Sequence, residues 1–199
     1  MDPITFYFDF SSPYAYFGAL KIDDIAGAFD REVDWRPILL GATMKATGNV
    51  SLAHQPVKSD YSKHDWERLS RFMDVPWMLP ERFPIATMAA ARAFYWIKDT
   101  NPPLAKKFAL ACFHHYFGQG QDITERETIA DIGATLGLDR DGLLAAVTTD
   151  TIKKRLRDET EAATDAGVCG APFFIVDGEP FWGSDRLWMI RRWLKSGGW

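Results

Sequence analysis

Thr5-Phe6-Tyr7-Phe8-Asp9-Phe10-Ser11-Ser12-Pro13-Tyr14-Ala15-Tyr16 is the stretch on which the reading of this chain turns. An apolar, aromatic run enters a short polar turn, and the turn opens a helix. Ser12 is of a type preferred at the N-cap, and Pro13 of the type preferred at the first helical position. The free N–H groups and the dipole at such an end favour an anion. Taken alone this is an ordinary helix cap. No G-x-S-x-G elbow surrounds Ser12 and no base adjoins it in sequence, so a hydrolase triad is not supported. A hydroxyl can, however, donate a hydrogen bond to a thiolate, and a helix N-terminus lowers a thiol's pKa. If a ligand brings that thiolate, the chain needs no cysteine of its own here.

Outward from this turn, residues 4–10 read as a buried strand and 13–29 as a helix with Tyr16, Leu20 and Ile25 facing inward. Residues 33–40 read as a second strand, with Pro37 near its end or on an edge. Strand, helix and strand at this spacing fit a parallel βαβ unit. A polar, glycine-containing loop is expected over 41–60, and helical signals run from there to Gly167. Leu104, Phe108 and Ala111 repeat at helical spacing, and Thr124-Glu125-Arg126-Glu127 has the form of a capping box. Gly137 reads as a helix stop and Asp139 as the next N-cap. Then the character changes. Residues 172–176 read as a strand, Asp177-Gly178 as a two-residue hairpin turn, 179–182 as the return strand, and Ser184 as the cap of a final helix through Leu194. The expected organisation is a small α/β domain made of residues 1–40 and 165–199, split by an all-helical insertion over 41–164.

Composition narrows the classes. Of the 199 residues, 47% are hydrophobic, enough for a full core, and 8 are Trp, which suggests a ring-lined pocket as well. A formal net charge of -4 gives no basic footprint for nucleic acid. The two cysteines, Cys112 and Cys169, form no C-x-x-C, so neither a zinc site nor a dithiol motif is supported. His114-His115 lacks H-E-x-x-H spacing, so no metal is expected. The start of the chain lacks a basic n-region with an apolar core, and no run of about 18 apolar residues could span a bilayer. A soluble, cytoplasmic protein is expected.

Two further segments carry chemistry. Gly167-Val168-Cys169-Gly170-Ala171-Pro172-Phe173 is a turn before a strand, where a proline is a candidate cis peptide. The backbone of Ala171 there could pair with an extended peptide ligand. Trp182-Gly183-Ser184-Asp185-Arg186 is either a plain cap or a site where Asp185 holds a ligand ammonium while Ser184 and the cap N–H groups hold a carboxylate. In order and spacing, the run Phe6 to Phe10, then Ser12-Pro13-Tyr14, Gly48-Asn49, Gly167 to Pro172 and Trp182 to Arg186 resemble the 2-hydroxychromene-2-carboxylate isomerases. These are relatives of the kappa-class glutathione transferases, and the resemblance covers essentially the whole chain.

The resemblance implies a thioredoxin-like domain with an inserted all-helical domain, and glutathione as cofactor. On the matching positions Ser12 donates to the sulfur, Ala171 binds the cysteinyl part, and Trp182, Gly183, Ser184, Asp185 and Lys58 hold the remainder. Lys45 and Asn49 fall on the substrate side, for a small aromatic carboxylate. Ser11 stands where many relatives carry an apolar residue, which leaves its share of the work open. Phe10, Trp77, Phe83 and Trp182 are candidate ring walls. The resemblance further implies a homodimer, with no nucleic-acid or membrane partner. The implied reaction converts 2-hydroxychromene-2-carboxylate into trans-o-hydroxybenzylidenepyruvate in aromatic hydrocarbon catabolism. The competing readings are a kappa-class transferase that consumes glutathione and a non-catalytic glutathione- or peptide-binding module. A disulfide oxidoreductase would need thiols where Ser12 and Ala15 stand.

Overall fold

A computed structural model describes residues 2–199. Its centre is a four-stranded sheet, β1 (Ile4–Phe8), β2 (Val33–Pro37), β3 (Phe173–Val176) and β4 (Glu179–Trp182), in the order β2-β1-β3-β4. β1 and β2 run parallel, joined by α1 (Pro13–Gly27), while β3 is antiparallel to both β1 and β4. The expected βαβ unit and hairpin are therefore both present. Pro37 ends an edge strand, where its missing N–H leaves no central ladder bond unmade. The hairpin turn places both Asp177 (φ 54°) and Gly178 (φ 86°) in the left-handed region, as a two-residue turn of this twist requires.

Because side chains alternate along a strand, β1 buries rings on both faces. Phe6 and Phe8 point into the main core, where Phe6 stacks on Phe174 at 5.0 Å and meets Trp35 edge-on, also at 5.0 Å. Tyr7 points the other way, into a smaller cluster with Ile38, Ala163, Val168 and Phe173. Gly18 lets α1 lie close to the sheet: a Cβ there would sit 3.3 Å from the Phe174 ring and 3.4 Å from Pro172.

Between β2 and β3 lie α2 (Leu40–Thr47), α3 (Lys58–Met73), α4 (Met88–Lys98), α5 (Pro102–Phe113), α6 (Arg126–Thr135), α7 (Arg140–Ala146) and α8 (Asp150–Asp165), and α9 (Leu187–Ser196) closes the chain. Three expectations are corrected. The loop over 41–60 contains α2, stopped by Gly48 at φ 74°, and a 3₁₀ turn, Leu52–His54. The capping box at Thr124 does not form: the Thr124 hydroxyl donates to Asp122 Oδ1, and α6 starts after Glu125 without a side-chain cap. Ser184 does not cap a final helix. It begins a 3₁₀ turn, Ser184–Arg186, and α9 follows. Asp139 does cap α7, and Gly137 (φ 83°) ends α6 as expected.

Candidate active site

Ser12 sits where β1 hands over to α1, 5% exposed. Its Oγ accepts from the Ala15 N–H at 3.2 Å, which makes it the true N-cap, and its hydroxyl donates to the Ala171 carbonyl at 2.9 Å. The Ala171-Pro172 peptide is cis. One hydroxyl thus joins the helix N-terminus to the cis-proline turn, 159 residues apart in sequence. Gly183 N–H donates to the Pro172 carbonyl at 2.9 Å, tying the Trp182–Asp185 segment to the same turn.

Two glycines are required here. Gly183 has φ 108° and ψ 149°, a region essentially closed to side chains, and a Cβ on it would meet Asp185 Oδ1 at 2.4 Å. A Cβ on Gly170 would lie 2.4 Å from Trp182 Nε1, so the indole rests directly on the turn's backbone. Asp185 pairs with Arg186 at 2.6 Å, yet its side chain stays 71% exposed and open to a ligand cation.

These elements border a cavity of about 1070 Å³. Ser12, Ala171, Trp182, Gly183, Ser184, Asp185, Asn49 and Lys58 all line it, so the structure brings together every expected site residue except Lys45. Lys45 lines a second cavity of about 650 Å³, together with Asp9, Thr87 and His54. Ser11, Leu40, Met44, Asn49, Val50, Ser51 and Pro84 belong to both, so the two spaces share a wall. Asn49 donates through Nδ2 to the Cys169 carbonyl at 2.8 Å, holding the 48–57 stretch against the cis-proline turn. Of the candidate ring walls, Phe83 and Trp182 line the larger cavity. Phe10 is buried at 0% exposure, and Trp77 is packed between Phe17, Trp66 and Phe117, so neither faces the site.

Ser11 has a defined task. Its N–H (2.8 Å) and its hydroxyl (2.9 Å) both donate to Asp9 Oδ1. Asp9, buried at 4% exposure, also accepts from Thr87 Oγ1 at 2.9 Å and, on Oδ2, from the Leu40 N–H at 2.8 Å. Burial pushes this carboxyl above the usual range, and the donors from Ser11, Leu40 and Thr87 oppose that rise. Asp9 fixes the turn before Ser12 and fastens it to the starts of α2 and α4. Sequence reasoning passed over it, although a carboxylate inside an aromatic strand run must be hydrogen-bonded or protonated once buried.

A second polar cluster was also missed. Tyr14 donates to Asp65 Oδ2 at 2.8 Å, Arg68 donates to Asp65, and Arg68 donates to the Tyr61 hydroxyl at 3.2 Å. Tyr14, Tyr61 and Asp65 line the larger cavity. Burial first, and then the Asp65 carboxylate, hold the Tyr14 phenol protonated well beyond the ordinary tyrosine range. The signal for these residues was their recurrence on one face of α3, where Tyr61, Asp65, Leu69, Phe72 and Met73 all reach the cavity.

Such a sheet, with a helix N-terminus facing a cis-proline turn, defines a thioredoxin-like protein. The family model of the DsbA-like thioredoxin domain matches residues 3–195. The chain belongs to the 2-hydroxychromene-2-carboxylate isomerase family within that group. It is 30% identical over 193 residues to a 2-hydroxychromene-2-carboxylate isomerase of Sphingobium xenophagum, with 96% of this chain and 97% of that one covered. It is 26% identical over 199 residues to glutathione S-transferase kappa 1 of Rattus norvegicus, covering 94% and 88% of the two chains. The solved structure of a 2-hydroxychromene-2-carboxylate isomerase superposes with a TM-score of 0.89 at 26% identity, over 96% of this chain and 94% of that one. Both groups of relatives are enzymes, one of isomerases and one of glutathione transferases. Among the described residues no helix is long and apolar enough to cross a membrane.

Proposed function

We propose that this protein is a glutathione-dependent isomerase that interconverts 2-hydroxychromene-2-carboxylate, or a fused-ring analogue, with the trans-benzylidenepyruvate form. The observation that carries the reading is the hydrogen bond from Ser12 to Ala171 at the head of the larger cavity. A thioredoxin frame with a hydroxyl here, and with Ala15 where a second thiol would stand, has no dithiol at the helix start for disulfide exchange. It can hold a thiol that is brought to it.

The donor set suits glutathione. The open Asp185 carboxylate is placed for the ammonium, and the Ser184–Asp185 N–H groups, which lack intrahelical partners at the start of a turn, for the adjoining carboxylate. Ala171 offers backbone to the peptide, and Lys58, exposed at the first turn of α3, supplies a cation for the other end. Ser12 has one proton to give. Donating it to a sulfur means releasing the Ala171 carbonyl, which then stands free to accept a peptide N–H from the ligand. The serine switch and peptide capture are therefore one event, and both favour the thiolate.

When bound, glutathione supplies a nucleophilic thiolate for reversible addition to a conjugated carbon, which turns the substrate's double bond into a rotatable single bond. The chain's own part is positioning and charge. Lys45, in the adjoining cavity, binds the substrate carboxylate and offsets enolate charge as it develops. Asn49 and Ser11 form the shared wall across which the two ligands meet.

The test follows the absorbance of 2-hydroxychromene-2-carboxylate with enzyme and substoichiometric glutathione. Turnover of many substrate molecules per glutathione, abolished by omitting glutathione and slowed by Lys45→Met, is the expected result. Stoichiometric loss of glutathione would instead assign the site to a conjugating transferase. Saturable glutathione binding without any turnover would assign a binding module.

A further inference from the structure

A run of hydrogen bonds ties α1 to α3 along the wall of the larger cavity. Tyr14, two residues beyond Ser12, donates to Asp65 Oδ2 at 2.8 Å. Arg68 Nη2 donates to Asp65 Oδ1 and also to the Tyr61 hydroxyl, the latter at 3.2 Å. The guanidinium carbon of Arg68 lies 5.8 Å from the centroid of the Tyr61 ring. One guanidinium therefore holds both the ring and the hydroxyl of Tyr61, and a carboxylate anchored from α1 holds the guanidinium. Tyr14, Tyr61 and Asp65 line the cavity, whereas Arg68 is outside its lining.

Counting protons separates the two phenols. Each has one O–H to donate and lone pairs with which to accept. Tyr14 has committed its proton to Asp65. Tyr61 only accepts, and among the described residues its own O–H meets no acceptor. A cavity-lining phenol fixed in this way is a donor oriented before any ligand arrives, which lowers the entropy cost of binding one.

The charge beside it has a definite sign. Lys58 lies three residues before Tyr61, on the same face of α3, and lines the same cavity. Asp60, close by in sequence, pairs with Lys63 at 3.8 Å, and Arg68 balances Asp65. Among the described residues no carboxylate pairs with Lys58. A cation and a free phenol O–H at positions i and i+3 form a two-point receptor for a carboxylate.

We propose that Tyr61 is a specificity-determining residue: its hydroxyl, oriented by Arg68, joins Lys58 in binding the glycyl carboxylate of glutathione and selects the free acid over an esterified tripeptide. Arg68 acts as a positioning residue. The inference rests on the glutathione reading, in which the ammonium-bearing end lies at Asp185 and the other carboxylate falls to α3.

The full chain is titrated calorimetrically with glutathione and with its glycyl ethyl ester, which keeps the thiol and the γ-glutamyl group. The unaltered chain should bind glutathione more tightly than the ester. Tyr61→Phe, at a position 60% exposed, should fold normally and weaken glutathione roughly tenfold, the lower end for a hydrogen bond to a charged partner, while changing ester binding little. Arg68→Met should give the same ester-insensitive loss, and combining it with Tyr61→Phe should add almost nothing. In turnover the loss should appear in KM for glutathione with kcat unchanged, because this carboxylate takes no part in the reacting bonds. An indifferent Tyr61→Phe, or equal weakening of acid and ester, would overturn the assignment of Tyr61. Additive losses in the double variant would overturn the role of Arg68. Failure of the unaltered chain to bind glutathione at all would instead remove the glutathione reading, and this inference with it.

Discussion

Replacing Ser12 by Ala removes two bonds at once, and their sizes can be worked from the structure. The cap bond from Ala15 N–H contributes about 1 kcal/mol, within the 0.5–2 kcal/mol found for N-caps. The donation to the Ala171 carbonyl adds about 1 kcal/mol, typical of a neutral hydrogen bond. The sum, about 2 kcal/mol, corresponds to a fall of about 4–8 °C in Tm for a chain of this size. This loss is measured without glutathione, by calorimetry. The second half concerns the loaded protein. A hydrogen bond to a charged partner contributes about 1.5–3 kcal/mol, so its removal raises the pKa of the bound thiol by about 1–2 units. The sign follows from the bond's preference for the thiolate: losing it favours the thiol, and the pH at which thiolate absorbance and turnover appear moves upward. Ser12→Cys keeps the cap geometry approximately and serves as a folding control. If Ser12→Ala lowers Tm as calculated yet leaves the thiolate titration where it was, Ser12 is a helix cap and nothing more.

Gly183→Ala forces a side chain into φ 108° and onto Asp185 Oδ1, so it should cost about 1–3 kcal/mol and weaken glutathione binding at the Asp185 end, both readable by calorimetry. Val57→Gly acts the other way. Val57 centres a γ-turn, with φ 68°, ψ -49° and a 2.7 Å bond from Lys58 N–H to the Pro56 carbonyl, a strained state for a β-branched residue. Relief of that strain should exceed the entropy cost of glycine and raise stability by about 1 kcal/mol in denaturant titrations. Asp9→Asn places an amide N–H₂ group where the carboxylate accepts from the Leu40 or Ser11 side, leaving donors facing donors, at a cost of about 1–3 kcal/mol. It should also alter a pH slope. Since burial raises the Asp9 pKa in the folded state, folding takes up protons between the unfolded pKa and that raised value, and stability falls as pH rises through the window. Asp9→Asn removes this contribution, and an unchanged stability-versus-pH curve would show that Asp9 does not titrate as its burial demands.

The sheet and its flanks were legible because their signals are local. Ser12-Pro13, Asp177-Gly178, Gly137 and Asp139 each act within a few residues, and each does in the structure what its chemistry suggests. The inserted helices were less legible for a definite reason. α2 starts at Leu39 with no side-chain cap of its own, and its first N–H is satisfied by Asp9, 31 residues upstream. α4 starts at Thr87, whose hydroxyl turns away from its own helix to donate to the same carboxylate across 78 residues. A capping rule read along the chain cannot see a cap that arrives through space. Likewise the Ser12–Ala171 bond is a finding of the structure: the resemblance implied only that both residues serve one ligand, and nothing local links two residues so distant in sequence.

That same carboxylate explains why a serine at position 11 is compatible with a site built around Ser12. An apolar residue there would leave Asp9 Oδ1 short of one donor inside the fold, whereas Ser11 supplies both its N–H and its hydroxyl. Ser11 thereby spends its only proton on Asp9 and has none for a sulfur, which leaves Ser12 as the hydroxyl able to serve a thiolate. On the proposed reading, the cost of exchanging Ser12's proton from Ala171 to that thiolate is kept low because Ala171 lines the cavity, and its freed carbonyl can accept from the ligand's peptide. A hydroxyl held by one acceptor until another arrives needs such a neighbour, and the turn at Ala171 provides it.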